Sequence, residues 1–184
     1  MEYTTQMKQA EIAVSDYLDK YVRAEEFIQY CRACPNFGKI WSCPEYDFDT
    51  MEYFRKHSRL RVIGLKIIYS AETRKKTYSR EEMRELIAGS MHVERRKLDE
   101  YLRELEEKTG GTALNAGSCN ICPEGCARPE GKSCRFPDSM RYSLESLGAD
   151  ITATIGDLLG IELVWDKEGK LPEYYTLVAG LLYD

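Results

Sequence analysis

The clearest apolar run in the chain is 61–69 (RVIGLKIIY), β-branched and interrupted only by Lys66, which predicts a strand. Ser79-x-x-Glu82 reads as a capping box opening a long helix that ends near Gly110-Gly111. Along it Met83, Leu86, Ile87, Met91, Leu98, Leu102 and Leu105 share one face and are expected in the core. Glu94, Arg95, Arg96 and Lys97 are expected on its solvated face. Residues 1–30 read two ways: Ile12 and Val14 alternate with polar neighbours as in a short strand, whereas Val14, Tyr17, Leu18, Tyr21 and Val22 fit a helical stripe. Short helices are expected over 24–33 and over 50–58, the latter capped by Asp49 or Thr50.

Further along, a short strand is expected over 112–115 and a helix opened by Pro137 and Asp138 and stopped by Gly148. Another helix over 151–159 would be capped by Asp150, followed by closing strands over 161–165 and 174–182. This order predicts an α/β (α+β) sandwich: a small mixed sheet packed by helices, with two cysteine-rich metal-binding loops at its edge. We expect one metal-binding domain over 1–184, its cysteine loops at 31–43 and 117–137.

The run 34–49 (CPNFGKIWSCPEYDFD) lacks a steady period, and a loop this long needs something to organise it. Composition supplies the candidate: seven cysteines against two histidines in 184 residues. At 43% hydrophobic and 31% charged the chain is otherwise ordinary and globular. A net charge of −5 argues against a nucleic-acid partner, which calls for a basic face. No apolar run approaches the roughly 20 residues that span a bilayer, so no membrane partner is expected. The opening MEYTTQMKQAEI lacks a basic start and an apolar signal region, so the expected location is cytoplasmic. There disulfides are disfavoured, and an odd cysteine count forbids complete pairing.

The cysteines fall into two groups with none between them. Cys31, Cys34 and Cys43 form C-x2-C-x8-C; Cys119, Cys122, Cys126 and Cys134 form C-x2-C-x3-C-x7-C. Scattered core thiols would be spread along the chain, whereas this is ligand spacing. Four thiolates close either a tetrahedral zinc or a [4Fe-4S] cluster. A zinc ribbon pairs two knuckles across a long spacer, but here three cysteines sit close and the fourth wraps around one larger object. Prolines after Cys34, Cys43 and Cys122 match the Cys-Pro step of cluster motifs. A [4Fe-4S] cluster is therefore the leading cofactor and zinc the alternative. Arg128, Lys132, Arg135 and Arg141 surround this group. They either offset thiolate charge and hold an anion, with Arg135 and Arg141 the candidates, or pair with Glu124, Glu130 and Asp138.

The first group is one ligand short. A thiolate from the other group, a non-cysteine ligand among His57, Glu45, Asp47 and Asp49, or an open position of the kind catalytic metals keep would complete it. His57 itself is more simply a surface or packed histidine. Trp41, Phe37 and Tyr46 either shield a cluster from water or form a small satellite core.

Together, CRACPNFGKIWSCPEYDFD and AGSCNICPEGCARPEGKSCRFPDSMRYSLESLGAD resemble the cysteine-rich family of predicted metal-binding proteins, a domain of unknown function frequent in anaerobic bacteria and archaea. The resemblance runs from about Tyr21 to the C-terminus. It implies metal binding by the cysteines, with iron–sulfur the expected form, and no established reaction. Two features depart from the family pattern: Glu45 stands where a second proline is expected, and one extra residue lies within Pro123–Gly125.

The expected function is a cytosolic metal-binding protein carrying one or two [4Fe-4S] clusters. It would act in electron transfer, or in redox catalysis at the open three-cysteine site, with a redox protein or a small-molecule substrate as partner. The alternative is a zinc-stabilised interaction module without catalysis. A pocket beside the three cysteines would mark the enzyme, and a docking face without one the carrier. Nucleotide-binding glycine motifs and hydrolytic triads have no support.

Overall fold

The computed structural model describes residues 2–184. Strand β1 (Tyr3–Ala13) passes directly into helix α1 (Val14–Tyr21), so both readings of the N-terminal segment hold, with the period changing at Val14. Helix α2 (Ala24–Ala33) leads to the first cysteine loop. After it comes α3 (Thr50–Phe54), where the Asp49 carboxylate accepts the Met51 N–H at 2.7 Å. Strand β2 (Arg59–Tyr69) and a short α4 (Ala71–Lys75) precede the long α5 (Arg80–Thr109). Its capping box is present: Ser79 N–H donates to Glu82 Oε2 at 2.8 Å, and Glu82 N–H to Ser79 Oγ at 3.2 Å. Strand β3 (Thr112–Leu114), helix α6 (Ile151–Leu159) and strand β4 (Tyr174–Tyr183) complete the framework.

The strands form one open sheet in the order β1-β2-β4-β3, with every pairing antiparallel. Because side chains alternate along a strand, β2 and β4 feed two cores. Leu60, Val62, Val178 and Leu182 pack with Tyr17, Phe54 and Ile155 from α1, α3 and α6. On the opposite face Ile63, Leu65, Ile67, Leu177 and Ala179 pack with Met83, Leu98 and Leu102 of α5. Helices on both faces explain why β2 is apolar nearly throughout. Truncating the fully buried Leu102 to alanine would cost about 2–5 kcal/mol. Gly64 makes room for the crossing chain, since a Cβ there would lie 2.8 Å from the Cδ1 atoms of both Leu159 and Ile161.

Four expectations are corrected. The sheet is antiparallel throughout instead of mixed, since its strands are joined without any parallel crossover. Residues 161–165 form no strand: Ile161 is buried against the first face, but β4 already has β2 on one side and β3 on the other. The expected helix over 138–148 shrinks to a 3-10 turn, Glu145–Leu147. Here Ser143 and Ser146 bond each other's backbone, and the Tyr142 carbonyl accepts the Asn115 N–H at 2.8 Å, so helical bonding loses its partners. Glu94 does not face solvent: it is buried and accepts from Tyr3 Oη at 2.9 Å and Lys97 Nζ at 2.7 Å.

Candidate metal centre

The second cysteine loop leaves the sheet at the end of β3 and turns at Gly117, whose φ of 72° suits glycine. Arg95 of α5 donates to the Ser118 carbonyl and steadies this turn. The loop then folds back through Gly125, whose N–H donates to the Cys122 carbonyl at 3.2 Å, and a 3-10 turn at Arg128–Glu130. The path brings Cys119, Cys122, Cys126 and Cys134 around one cavity of about 150 Å3, closed by Ile40, Trp41 and Met140 among others. All four cysteines are half-buried free thiols. Burial pushes the Cys119 thiol up; the Ile121 N–H opposes this, and Cys134, Cys122 and Cys126 add to it. A cation bound among the thiols would reverse that repulsion as their protons leave. No three His, Cys, Asp or Glu side chains among the described residues converge on a single-ion position; the four thiols surround a space. An all-sulfur set of this kind suits zinc or iron–sulfur.

The first group is assembled by the end of α2. Cys31 lies in its last turn, and Cys34, at the cap, donates its N–H to the Cys31 carbonyl at 2.9 Å. The chain loops out and returns through Gly38 N–H to Pro44 O at 2.9 Å and Cys43 N–H to Ile40 O at 3.0 Å. Cys43 is buried, Cys31 half-buried and Cys34 exposed. Burial pushes the Cys43 thiol up to about 11; the Ser42 hydroxyl opposes this, while Cys34, Cys31 and Glu145 add to it. Burial also raises Cys31, helped by Cys34 and Glu145. The three thiols therefore share one neighbourhood.

Of the non-cysteine candidates, Glu45 alone stands on the wall of the pocket that Cys31 lines. His57 Nδ1 lies 3.4 Å from Asp184 Oδ2 and Nε2 lies 3.1 Å from Thr112 Oγ1, just before the start of β2. Asp49 caps α3, Glu45 faces Arg32 at 3.7 Å and Asp47 is exposed. Another carboxyl beside the group, one the sequence did not single out, is that of Glu145. It shares with Cys31 the wall of a pocket of about 480 Å3. Glu145 keeps some exposed surface, but its carboxyl end is withdrawn from water. Burial pushes it up, opposed by its own backbone N–H, the Ser143 hydroxyl, the Gly117 N–H and Arg95.

The loops are laced together. Arg128 of the second loop donates to three carbonyls of the first: Ile40 at 2.9 Å, Cys43 at 2.6 Å and Glu45 at 2.5 Å. Its guanidinium lies 5.1 Å from the Trp41 ring centroid, and Trp41 Nε1 donates to the Lys132 carbonyl at 3.1 Å. The Cys119 N–H donates to Ser42 Oγ at 2.8 Å, and Asn36 Nδ2 to Ser118 Oγ at 3.1 Å. Trp41 thus helps to wall the cavity of the other group.

Arg135 donates to the Gly125 carbonyl at 2.7 Å and lies 3.9 Å from Glu130. Arg141 is spent on Glu106, at 2.6 and 3.0 Å, and on the Asp138 and Met140 carbonyls. Sequence reasoning grouped Arg128 with the other loop cations and overlooked Ser42, Arg95 and Glu145. The contacts of Arg95 with Ser118, Ser42 with Cys119 and Arg128 with Cys43 span 23 or more residues, beyond the reach of any local pattern.

No curated protein and no solved structure matches the chain. Among the described residues no helix is long and apolar enough to cross a membrane. The family described as "Predicted metal-binding protein (DUF2284)" matches residues 17–183, from α1 through β4 and across both cysteine groups. The chain therefore belongs to this family of predicted metal-binding proteins.

Proposed function

We propose that this chain is a cytoplasmic iron–sulfur protein with two adjacent thiolate centres, and that redox chemistry on a small molecule takes place at the three-cysteine one. The observation that carries the reading is the cavity of about 150 Å3 lined by Cys119, Cys122, Cys126 and Cys134. One tetrahedral zinc draws its sulfurs to within about 3.8 Å of one another and needs no enclosed space. A polynuclear group fills a volume, and four thiols around a volume suit it. An iron–sulfur cluster bound there would supply electron transfer at a potential tuned by burial and hydrogen bonds to sulfur.

The chain's own residues supply the rest. Ile40, Trp41 and Met140 keep water from the four thiols, and the Ile121 N–H stabilises the Cys119 sulfur in its anionic form. The roughly 480 Å3 pocket beside Cys31 favours an enzyme over a simple carrier, because a carrier needs a docking face and no cavity. Electrons would then come from a separate redox protein.

Anaerobic purification followed by iron, acid-labile sulfide and zinc analysis tests the reading. Iron and sulfide in equal amounts, with a brown chromophore bleached by reductant, are expected. A colourless protein with stoichiometric zinc and no sulfide, even after reconstitution with iron and sulfide, would overturn it in favour of a zinc-stapled module.

A further inference from the structure

Helix α2 has an unusual surface. Ala24, Phe27, Ile28 and Cys31 fall at i, i+3, i+4 and i+7, the spacing of a core-facing stripe, and no residue of the helix is buried. The stripe faces a pocket instead of a packed core. Across it stand Tyr46 and Phe48 of the first cysteine loop, and Leu147 and Gly148 close another side. These walls are held in place. The Tyr46 and Phe48 rings stack at 4.8 Å, both pack on Tyr142, and Tyr46 Oη donates to the Ser42 carbonyl at 2.7 Å. Gly148 comes so close to α2 that a Cβ there would lie 2.6 Å from the Ala24 Cα.

The charge on the walls has one sign. Glu25, Glu45 and Glu145 line the pocket, and no lysine, arginine or histidine is among its lining residues. Outside the lining, Arg32 offsets Glu45 across 3.7 Å and Arg95 acts on the withdrawn Glu145 carboxyl, which leaves Glu25 as the free negative charge of the lining. Carboxylates set among Phe27, Tyr46 and Phe48 make a poor seat for a phosphate or carboxylate and a good one for an organic cation, which aromatic faces attract.

We propose that the pocket between α2, residues 44–48 and residues 145–148 binds a small organic cation, an amine or quaternary ammonium on an apolar body, beside Cys31. This deepens the function proposed above by naming the class of substrate, and it rests on that reading only for what happens to the ligand afterwards. Phe27, Tyr46 and Phe48 hold the apolar body, and Glu25 on the open side faces the charge.

The test uses the full chain, purified anaerobically, with its metal content measured in the same sample. Binding of benzyltrimethylammonium is compared with that of benzoate and phenyl phosphate by isothermal titration calorimetry. The cation is expected to bind at least about tenfold more tightly than either anion. Phe27→Ala and Glu25→Gln are each expected to weaken it about fivefold or more, with the circular dichroism spectrum unchanged. Glu25 is exposed, so its replacement keeps the fold and leaves the test decisive. Equal or tighter binding of an anion, or no cation binding by folded, metal-loaded protein, would overturn the proposal. A sample that binds the cation but contains zinc without sulfide would uphold the pocket and sink the iron–sulfur reading, so the two failures are distinguishable.

Discussion

The buried hydroxyl of Ser42 accepts the backbone N–H of Cys119 at 2.8 Å, tying the residue beside Cys43 to the first cysteine of the other group. Ser42 is also the neighbour of Cys43, and its hydroxyl opposes the rise of that thiol, so one side chain acts on both candidate centres. Ser42→Ala should leave the Cys119 N–H without its partner and cost about 1–3 kcal/mol. Urea unfolding of the metal-loaded protein would measure the loss, and chelator challenge should strip metal from the variant faster. Unchanged stability and unchanged metal release would show that the link carries no weight.

Arg128 is the second tie, and its three carbonyl partners all lie in the first loop. Arg128→Ala should therefore lower metal occupancy at Cys31, Cys34 and Cys43, although the arginine belongs to the other group's loop. Arg128→Lys keeps the charge but not the planar fork, and should recover only part of the loss. By contrast Arg135→Ala, which removes contacts local to its own loop, should change stability by no more than about 0.5 kcal/mol. Metal analysis of the three variants decides the ranking.

Thiol replacements should separate the groups. Cys122→Ser opens the four-thiol site and is expected to cost both its metal and part of the fold. Cys34 is exposed at the end of α2, so Cys34→Ser should remove metal from the first group and leave the circular dichroism spectrum intact. Full metal content in either variant would show that the cysteine replaced is not a ligand.

Gly148 has φ 92° and presses on the backbone of Ala24, with the Arg23 N–H donating to its carbonyl at 2.9 Å. Gly110, at φ 67°, ends α5 in open space. Both would be strained as alanine, by about 1–2 kcal/mol each. Gly148→Ala must also push α2 away, so it should be the more destabilising and should weaken cation binding in the pocket. Equal melting temperatures for the two variants would refute this.

A pH effect is expected from Glu11 on β1. Its partner Arg61 on β2 bonds Oε1 through Nε at 3.1 Å and Nη2 at 2.7 Å, and holds the carboxyl below its ordinary 4.5, with help from Tyr183 and Arg59. For an acid depressed in the native state, the stabilisation is present above 4.5 and is lost as pH falls through the native value. Glu11→Gln should cost no more than about 1 kcal/mol at neutral pH, as befits a partly exposed pair. The gap between variant and parent should close on acidification, as followed by denaturant melts across the pH range.

Much of the fold is legible in the chain. The apolar run of β2, the capping box of Ser79 and Glu82 and the caps at Asp49 and Asp150 are local signals, and each element forms where its signal lies. Residues 161–165 and 138–148 mislead because their fate depends on who else bonds there. Strand β4 has neighbours on both sides, and Asn115 with Ser143 and Ser146 claims the backbone that a helix would need.

The same division runs through the candidate site. Spacing alone marked two groups of thiols, four and three, because the cysteines of each group come from one short stretch of chain. The sequence by itself thus determined which residues gather, and the family that the chain matches is one of predicted metal-binding proteins. Only the tertiary structure decided that Trp41 walls the other group's cavity, that Arg128 and Ser42 lace the loops, and that Glu145 stands where His57 was a candidate. The physical reason is range. A capping box or a C-x2-C turn is written within a few residues, whereas Ser42 meets Cys119 across 77 positions, a contact set by how the sheet and α5 bring the loops together.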